Sequence, residues 1–235
     1  MTTTKELAKK ETITTTGLPS FIDPIEKADE TLLQVGSDDL EISSVSLVQD
    51  KHPAKKKFDD INEGDFVDMM SGKNYGQSPE IIVCKHQKTW RKTDGRDIIG
   101  FSTDGVTWDD GTKLSIEDAY RCLEHNFFVM FVDNPEPIPT KIKFKRTSQK
   151  AGKNLLNLLL REIQTNKAPI NARKYVLGSE TVSFPKGDVL VMTVQASDYV
   201  SENEFGLSNQ IIAKIRDVKM KENANSSNDD ELSLD

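Results

Sequence analysis

The sequence contains little cysteine and no long apolar run. Its two cysteines, Cys84 and Cys122, are too few for a disulfide framework and fit a reducing compartment. No apolar stretch approaches the length that spans a bilayer, and residues 1–16 contain no apolar block of the kind found in signal peptides. We therefore expect a soluble cytoplasmic protein with no membrane partner.

Enzyme signatures are also scarce. The sequence shows no nucleophile–base pair, no HExxH zinc motif and no dinucleotide-binding fingerprint. The stretch QKAGKN (149–154) lacks the first glycine and the Ser/Thr of a P-loop, so nucleotide hydrolysis is not predicted. Three aspartates could bind a divalent cation, but the glycines among them favour ordinary turns; they are Asp104, Asp109 and Asp110. The sequence thus predicts a protein that is not an enzyme and needs no cofactor.

The cations, in contrast, are concentrated in two segments. The chain has a net charge of −7. Residues 81–100 contain five Lys or Arg against two Asp or Glu, and residues 141–175 contain ten against one, whereas the other 180 residues carry a balance of −19. A single charged run is usually a solvated surface. Two basic segments in an otherwise acidic chain favour an anion-binding surface instead.

Short β-branched or aromatic runs bounded by Gly, Pro, Asn or Asp predict a mainly β fold. The predicted strands cover residues 64–70, 80–85, 97–102, 126–133, 141–146 and 187–195, with a weaker candidate at 172–177. Many short strands with two or three inserted helices are typical of a small antiparallel β-barrel. We predict this domain for residues 31–218, between a flexible arm (1–30) and a disordered acidic tail (219–235).

Caps and apolar periodicity predict three helices. The first begins at Ser115 and places four apolar residues on one face: Ile116, Ala119, Tyr120 and Leu123. The longest covers residues 148–166, with a stripe formed by Ala151, Leu155, Leu158, Leu159 and Ile163. The third begins at Ser201 and directs Ile211, Ile212 and Ile215 inward.

The first basic segment combines aromatic and cationic side chains. If the strand that starts at Ile81 continues to Lys92, alternation directs four side chains to the face opposite Ile81 and Val83. Those four are His86, Lys88, Trp90 and Lys92. An indole between two lysines suits a base that stacks on the ring while the lysines reach neighbouring phosphates. The alternative is an amphipathic tryptophan that covers the rim of the barrel.

The second basic segment repeats the alternation. In KIKFKR (141–146), three lysines share one face, and Ile142 and Phe144 share the other. These lysines are Lys141, Lys143 and Lys145. Their mutual repulsion favours a nearby anion.

The helix that follows adds two more cations. Lys150 and Lys153 lie in its first turns, where the helix dipole disfavours each cation by about 0.3–1 kcal/mol. Free backbone N–H groups at the same helix end suit a phosphate. Arg173, Lys174 and Tyr175 form a further basic and aromatic cluster.

Four segments, in their order, resemble a known family. They are DDLEISSVSLVQDKHP (38–53), INEGDFVDMMSGKNYG (61–76), EIIVCKHQKTW (80–90) and IPTKIKFKRTSQKAGKNLLNLL (138–159). An extended entry, a Gly-Asp-Phe turn, a basic strand with a tryptophan and a Lys-rich strand plus helix resemble phage-encoded single-stranded DNA-binding proteins with an OB-like fold. The resemblance covers roughly residues 38–200 and implies DNA contact through the barrel face. The segment NDDELSLD (228–235) is similar in kind to the acidic tails of bacterial single-strand binding proteins, but it lacks their final Pro-Phe pair.

We therefore predict a sequence-tolerant single-stranded DNA-binding protein that protects exposed strands during phage DNA replication or recombination, in the cytoplasm of the infected cell. The predicted DNA-binding residues are ten cations and two aromatic residues: Lys85, Lys88, Arg91, Lys92, Lys141, Lys143, Lys145, Lys150, Lys153, Arg173, Trp90 and Tyr175. The acidic tail is expected to recruit replication or recombination proteins, or to compete with DNA for the basic face.

Three alternatives stay open. An RNA-binding module would use the same physics. A protein–protein adaptor or host-takeover inhibitor would use the basic face to bind an acidic protein. A metal-dependent nuclease would use the three aspartates.

Overall fold

The computed structural model describes residues 42–94, 97–133, 135, 138–185 and 187–217. In chain order their elements are β1 (Ser44–Leu47), α1 (Ala54–Lys57), β2 (Phe66–Asp68), β3 (Glu80–Asp94), β4 (Asp97–Ser102), α2 (Ile116–Arg121), β5 (Leu123–Phe131), β6 (Thr140–Phe144), α3 (Gln149–Asn166), β7 (Arg173–Phe184), β8 (Gly187–Tyr199) and α4 (Glu202–Asp217). The predicted arm (1–30) and tail (219–235) lie outside the described residues and stay predictions. Within the described ranges, no helix is both long and apolar enough to cross a membrane.

The strands join one mixed sheet. Its order is β2-β1-β6-β5-β3-β7-β8, and β4 pairs with the far end of β3. Neighbouring strands run antiparallel except β1 and β6, which are parallel. The prediction of a mainly β fold is confirmed. The sheet is not a closed barrel, so the predicted OB-like antiparallel barrel is wrong.

Side chains, rather than a further strand, cover the free edge of β8. The amide of Gln49 exchanges two hydrogen bonds with the backbone of Leu190, at 2.7 and 3.1 Å. Ser148 and Asn154, at the start of α3, bond the backbone two and four residues further along β8. Because these side chains satisfy backbone groups that a neighbouring strand would need, the sheet ends at β8 without closing.

The sheet buries apolar residues on both faces. Its inner face, defined here as the one that packs against α3, carries Val83, Phe127 and Ile142. Its outer face packs against α4 and carries Ile82 and Phe128. The predicted helix stripes supply the matching surfaces, with Ala151, Leu155 and Leu159 buried on α3 and Ile211 and Ile215 buried on α4.

A β-bulge in β3 changes which side chains share a face. The register against β5 shifts between Val83 and Lys85, so β3 has one extra residue there. Because a bulge resets the alternation, His86 lies on the same inner face as Val83. The four alternate residues from His86 to Lys92 do share a face, as predicted. That face is the one of Val83, and the prediction that it lies opposite is wrong.

The short helix α2 lies at the surface of the protein, and none of its residues is buried. Ser115 caps it by accepting a hydrogen bond from the Asp118 N–H at 2.9 Å, as the capping box predicts. Its apolar stripe is nevertheless exposed, since Ile116 is 93% and Tyr120 66% accessible to solvent. Polar bonds hold α2 in place instead of apolar burial, and the predicted apolar face is open to solvent at Ile116 and Tyr120.

Candidate nucleic-acid interface

The fold brings the two basic segments to either side of one strand. β5 lies between β3, which holds the first segment, and β6, which holds the second. Lys85 and Lys141 both face Phe128, and Lys143 faces Asn126. We call Lys85, Lys141 and Lys143 the outer lysine row, because their partners on β5 place them on the outer face. The predicted alternation is confirmed for residues 141–144, but β6 ends at Phe144, so Lys145 lies beyond the strand. Lys143 is only 9% exposed, so the row is partly covered.

A second group of cations lies on the inner face. Lys88 pairs across the sheet with His125 of β5. Helix α3 approaches closely here because Gly152 has no side chain: an added Cβ would lie 3.1 Å from the Cβ of His125. Lys153, the next residue of α3, is close enough to lower the pKa of His125. We call the resulting group the histidine–lysine cluster: His86, Lys88, His125 and Lys153.

The two histidines of the cluster form a hydrogen-bonded pair. His86 Nε2 and His125 Nδ1 are 3.1 Å apart, and the His86 ring packs 4.6 Å from the Phe127 ring. Burial is the main cause that lowers the pKa of each histidine to about 4, and the positive charge of Lys88 contributes to both shifts. His86 and Lys153 also lower the pKa of His125. Every charge that shifts these two pKa values is positive, so the cluster has the potential that attracts an anion.

Several of the predicted DNA contacts are already paired with carboxylates. The pairs are Lys92 with Asp118 at 3.1 Å, Arg91 with Glu124 at 3.7 Å, and Arg173 with Glu162. Their charges are compensated, which weakens their attraction for a phosphate. Lys88, Lys150 and Lys153 are exposed, and none of them pairs with a carboxylate in the part of the chain that the structure describes. These three lysines are the best placed of the predicted cations to meet a phosphate.

Both aromatic residues predicted to stack on bases have structural contacts. The indole N–H of Trp90 donates to the Ala119 carbonyl at 2.9 Å. Its ring lies so close to Gly105 that an added Cβ would be 2.6 Å away. Tyr175 is 1% exposed within the inner core, and burial raises its pKa to about 12. Trp90 therefore stabilises the position of α2. Tyr175 is buried, so neither face of its ring is accessible to a base.

Comparison with known protein families identifies the family of this chain. Residues 9–221 match the model of the Pam3 phage gp34-like protein family. The chain belongs to this family. The match indicates a phage protein, which confirms that part of the resemblance, and it covers both basic segments. No curated protein and no solved structure shows significant similarity to the chain.

The acidic loop, residues 104–111, is shaped by its own hydrogen bonds. Asp104 accepts two backbone N–H groups, at 2.7 and 3.0 Å, and these bonds lower the pKa of its carboxyl. Asp109 and Asp110 accept backbone N–H groups at 3.2 and 2.8 Å. Such bonds are the turn chemistry expected from the neighbouring Gly105 and Gly111. The three aspartates therefore have a local role in shaping the loop.

Two residues of this interface were not predicted to take part. His125 was outside the predicted strand, and only the register of β3 against β5 shows that it meets Lys88. Tyr120 was predicted only to lie on an apolar helix face, whereas its ring is exposed and lies 5.0 Å from the Lys153 ammonium. The signal available in the sequence was the aromatic residue itself, but periodicity does not report whether a helix is held by apolar burial or by polar bonds.

Proposed function

We propose that this phage protein binds single-stranded DNA through the histidine–lysine cluster, without sequence preference and without catalysis, in DNA replication or recombination. The main support for this proposal is the position of two lysines. Lys88 and Lys153 come from different basic segments, yet they flank the same pair of histidines, and only positive charges shift the pKa values of that pair. The two histidines are neutral at pH 7, so the positive charge of the cluster is that of Lys88 and Lys153, which a bound anion would compensate.

A nucleic-acid backbone suits this arrangement better than a single small anion. Lys150 precedes Lys153 by about one helical turn and is exposed, so α3 presents two lysines in a row beside Lys88. Successive phosphates of one strand can meet such a row. Each neutralised phosphate releases counterions, which makes affinity fall with salt by about −0.7 in log K per log salt for single strands.

The preference for single strands rests on an aromatic side chain beside these lysines. Tyr120 is exposed, and the Lys153 ammonium lies 5.0 Å from the centre of its ring. Bases paired within a duplex cannot stack on a protein side chain, whereas unpaired bases can, at about 1–3 kcal/mol each. The proposed recruitment of replication or recombination proteins by the acidic tail rests only on the charge of that segment.

Fluorescence anisotropy with three labelled probes tests the proposal: a dT 20-mer, a 20-base-pair duplex and a U 20-mer, each at two salt concentrations. We expect the dT strand to bind at least about tenfold more tightly than the duplex at 0.15 M salt, because stacking adds to phosphate contact only for unpaired bases. Equal affinity for strand and duplex would contradict the proposal. Tighter binding of the U strand would favour the RNA-binding alternative, and no binding of any probe would favour the adaptor.

A further inference from the structure

Helix α2 is held in place by polar bonds, and none of its residues is buried. Side chains from other elements fasten it by polar bonds: Lys92 to Asp118 at 3.1 Å, Trp90 to the Ala119 carbonyl at 2.9 Å, and Gln149 to the Leu123 carbonyl, just after the helix, at 2.7 Å. Ser115 caps its first turn. A six-residue helix is not stable by itself, so these bonds fix the position from which its outward side chains project.

Two of those outward side chains are apolar and adjacent. Ile116 and Tyr120 are four residues apart, which places them on the same side of the helix. Large apolar side chains exposed together indicate a contact surface more often than isolated ones do. Because polar bonds fix the position of α2, a partner that binds this surface contacts Ile116 and Tyr120 directly.

The charges around Tyr120 indicate an anionic occupant. The Lys153 ammonium lies 5.0 Å from the centre of the Tyr120 ring, and exposed Lys150 lies one turn before it on α3. The acidic residues of α2 do not oppose this field, because each has a cationic partner: Glu117 with Arg121 at 2.6 Å, and Asp118 with Lys92. A flat ring beside unpaired lysines suits a ligand that has both a flat apolar group and a phosphate.

We infer that Tyr120 stacks on an unpaired base of the bound strand, while Lys153 holds a phosphate next to that base. The inference rests on the proposed function and assigns to Tyr120 the role that the sequence predicts for Trp90. Ile116 extends the apolar surface by one helical turn, towards the neighbouring nucleotide. The base at Tyr120 is unpaired because its ring face must be free to meet the tyrosine.

Tyr120→Ala tests the inference, with Tyr120→Phe and Tyr199→Ala as matched variants. Tyr199 is a suitable control because it is 55% exposed and also has a cation over its ring, Arg173 at 5.3 Å. Affinities would be measured for a dT 20-mer and for a strand of the same length with abasic sites at most positions, across a salt series. We expect Tyr120→Ala to weaken dT binding about 5- to 150-fold, the usual effect of losing one stacked base. Tyr120→Phe and Tyr199→Ala should stay close to the unsubstituted protein.

The abasic strand and the salt series separate stacking from charge. Because Tyr120→Ala removes no charge, the slope of log K against log salt should not change. The abasic strand should bind Tyr120→Ala and the unsubstituted protein equally. If Tyr120→Ala leaves dT affinity intact while the unsubstituted protein still prefers single strands, the inference is wrong and the proposed function stands. Equal weakening for dT and abasic strands would also overturn it, and failure of the unsubstituted protein to bind dT would overturn the proposed function itself.

Discussion

Replacing Lys88 and Lys153 together by alanine should weaken the binding of a single-stranded 20-mer about 25-fold at 0.1 M salt. If each lysine neutralises one phosphate, the double variant has a salt slope shallower by about 1.4. We expect the two proteins to have equal affinity at 1 M salt. Between 1 M and 0.1 M salt, the difference in slope then gives a difference in affinity of about 25-fold. Both side chains are exposed, so the variant should fold normally.

A matched control removes the same charge elsewhere. Lys51 and Lys56 are exposed in the segment that follows β1, and their double alanine variant should lose less than about threefold in affinity and keep its salt slope. The variant Lys85→Ala/Lys141→Ala tests the outer lysine row in the same series. If that variant loses more affinity than Lys88→Ala/Lys153→Ala, the DNA lies on the outer face and the proposed location is wrong.

Lowering the pH from 7 to 5 should reduce the free energy of unfolding by about 2 kcal/mol. The pKa of His86 and of His125 is lowered to about 4 by burial and by nearby cations, whereas an unfolded histidine titrates near 6.5. Between these values the unfolded chain binds more protons than the folded protein, so stability is complete above pH 6.5 and is lost as the pH falls towards 4. Two fully buried rings would contribute about 4 kcal/mol at pH 5, and solvent screening at partly exposed His86 reduces this to about half.

Thermal unfolding followed by circular dichroism measures the pH effect. The melting temperature should fall by roughly 4–8 °C between pH 7 and pH 5, at 2–4 °C per kcal/mol for a domain of this size. Asp104 and Glu162 stay ionised in this range because their pKa values are lowered, so they do not contribute to the change. The variant His86→Gln/His125→Gln should lose most of the pH dependence. An unchanged dependence in that variant would show that the histidine pair is not its source.

The sequence predicted the local structure better than its assembly. Residue type and spacing predicted the helix caps at Ser115 and Ser201 and seven of the eight strands in the described residues, but not β1. Closure of the sheet was predicted wrongly, because the edge of β8 is covered by Gln49, which is 141 residues away from Leu190 in sequence. Contacts at such separation leave no periodic signal in a single chain.

The sequence predicted which segments form the proposed site, and the geometry of the histidine–lysine cluster was not predicted. Both basic segments contribute to it, as charge segregation predicts. The bulge between Val83 and Lys85 could not be predicted, because an extra residue in a strand appears only against its neighbour. The role of Trp90 depends on a hydrogen bond to α2 and on a close approach to Gly105. An indole between lysines has the same sequence pattern whether its ring is exposed to solvent or packed against another part of the protein.

The most direct test of the location is an NMR titration of the histidine Cε1–H signals with a dT 20-mer at pH 7. The chain has three histidines, and two of them, His86 and His125, form the centre of the cluster. The third, His52, lies in the segment after β1, where its Nδ1 accepts a hydrogen bond from the Ala54 N–H, and it serves as the internal control. We expect the signals of His86 and His125 to shift together and saturate at the affinity measured by anisotropy, while the signal of His52 stays in place. Unchanged His86 and His125 signals at saturating DNA would contradict it.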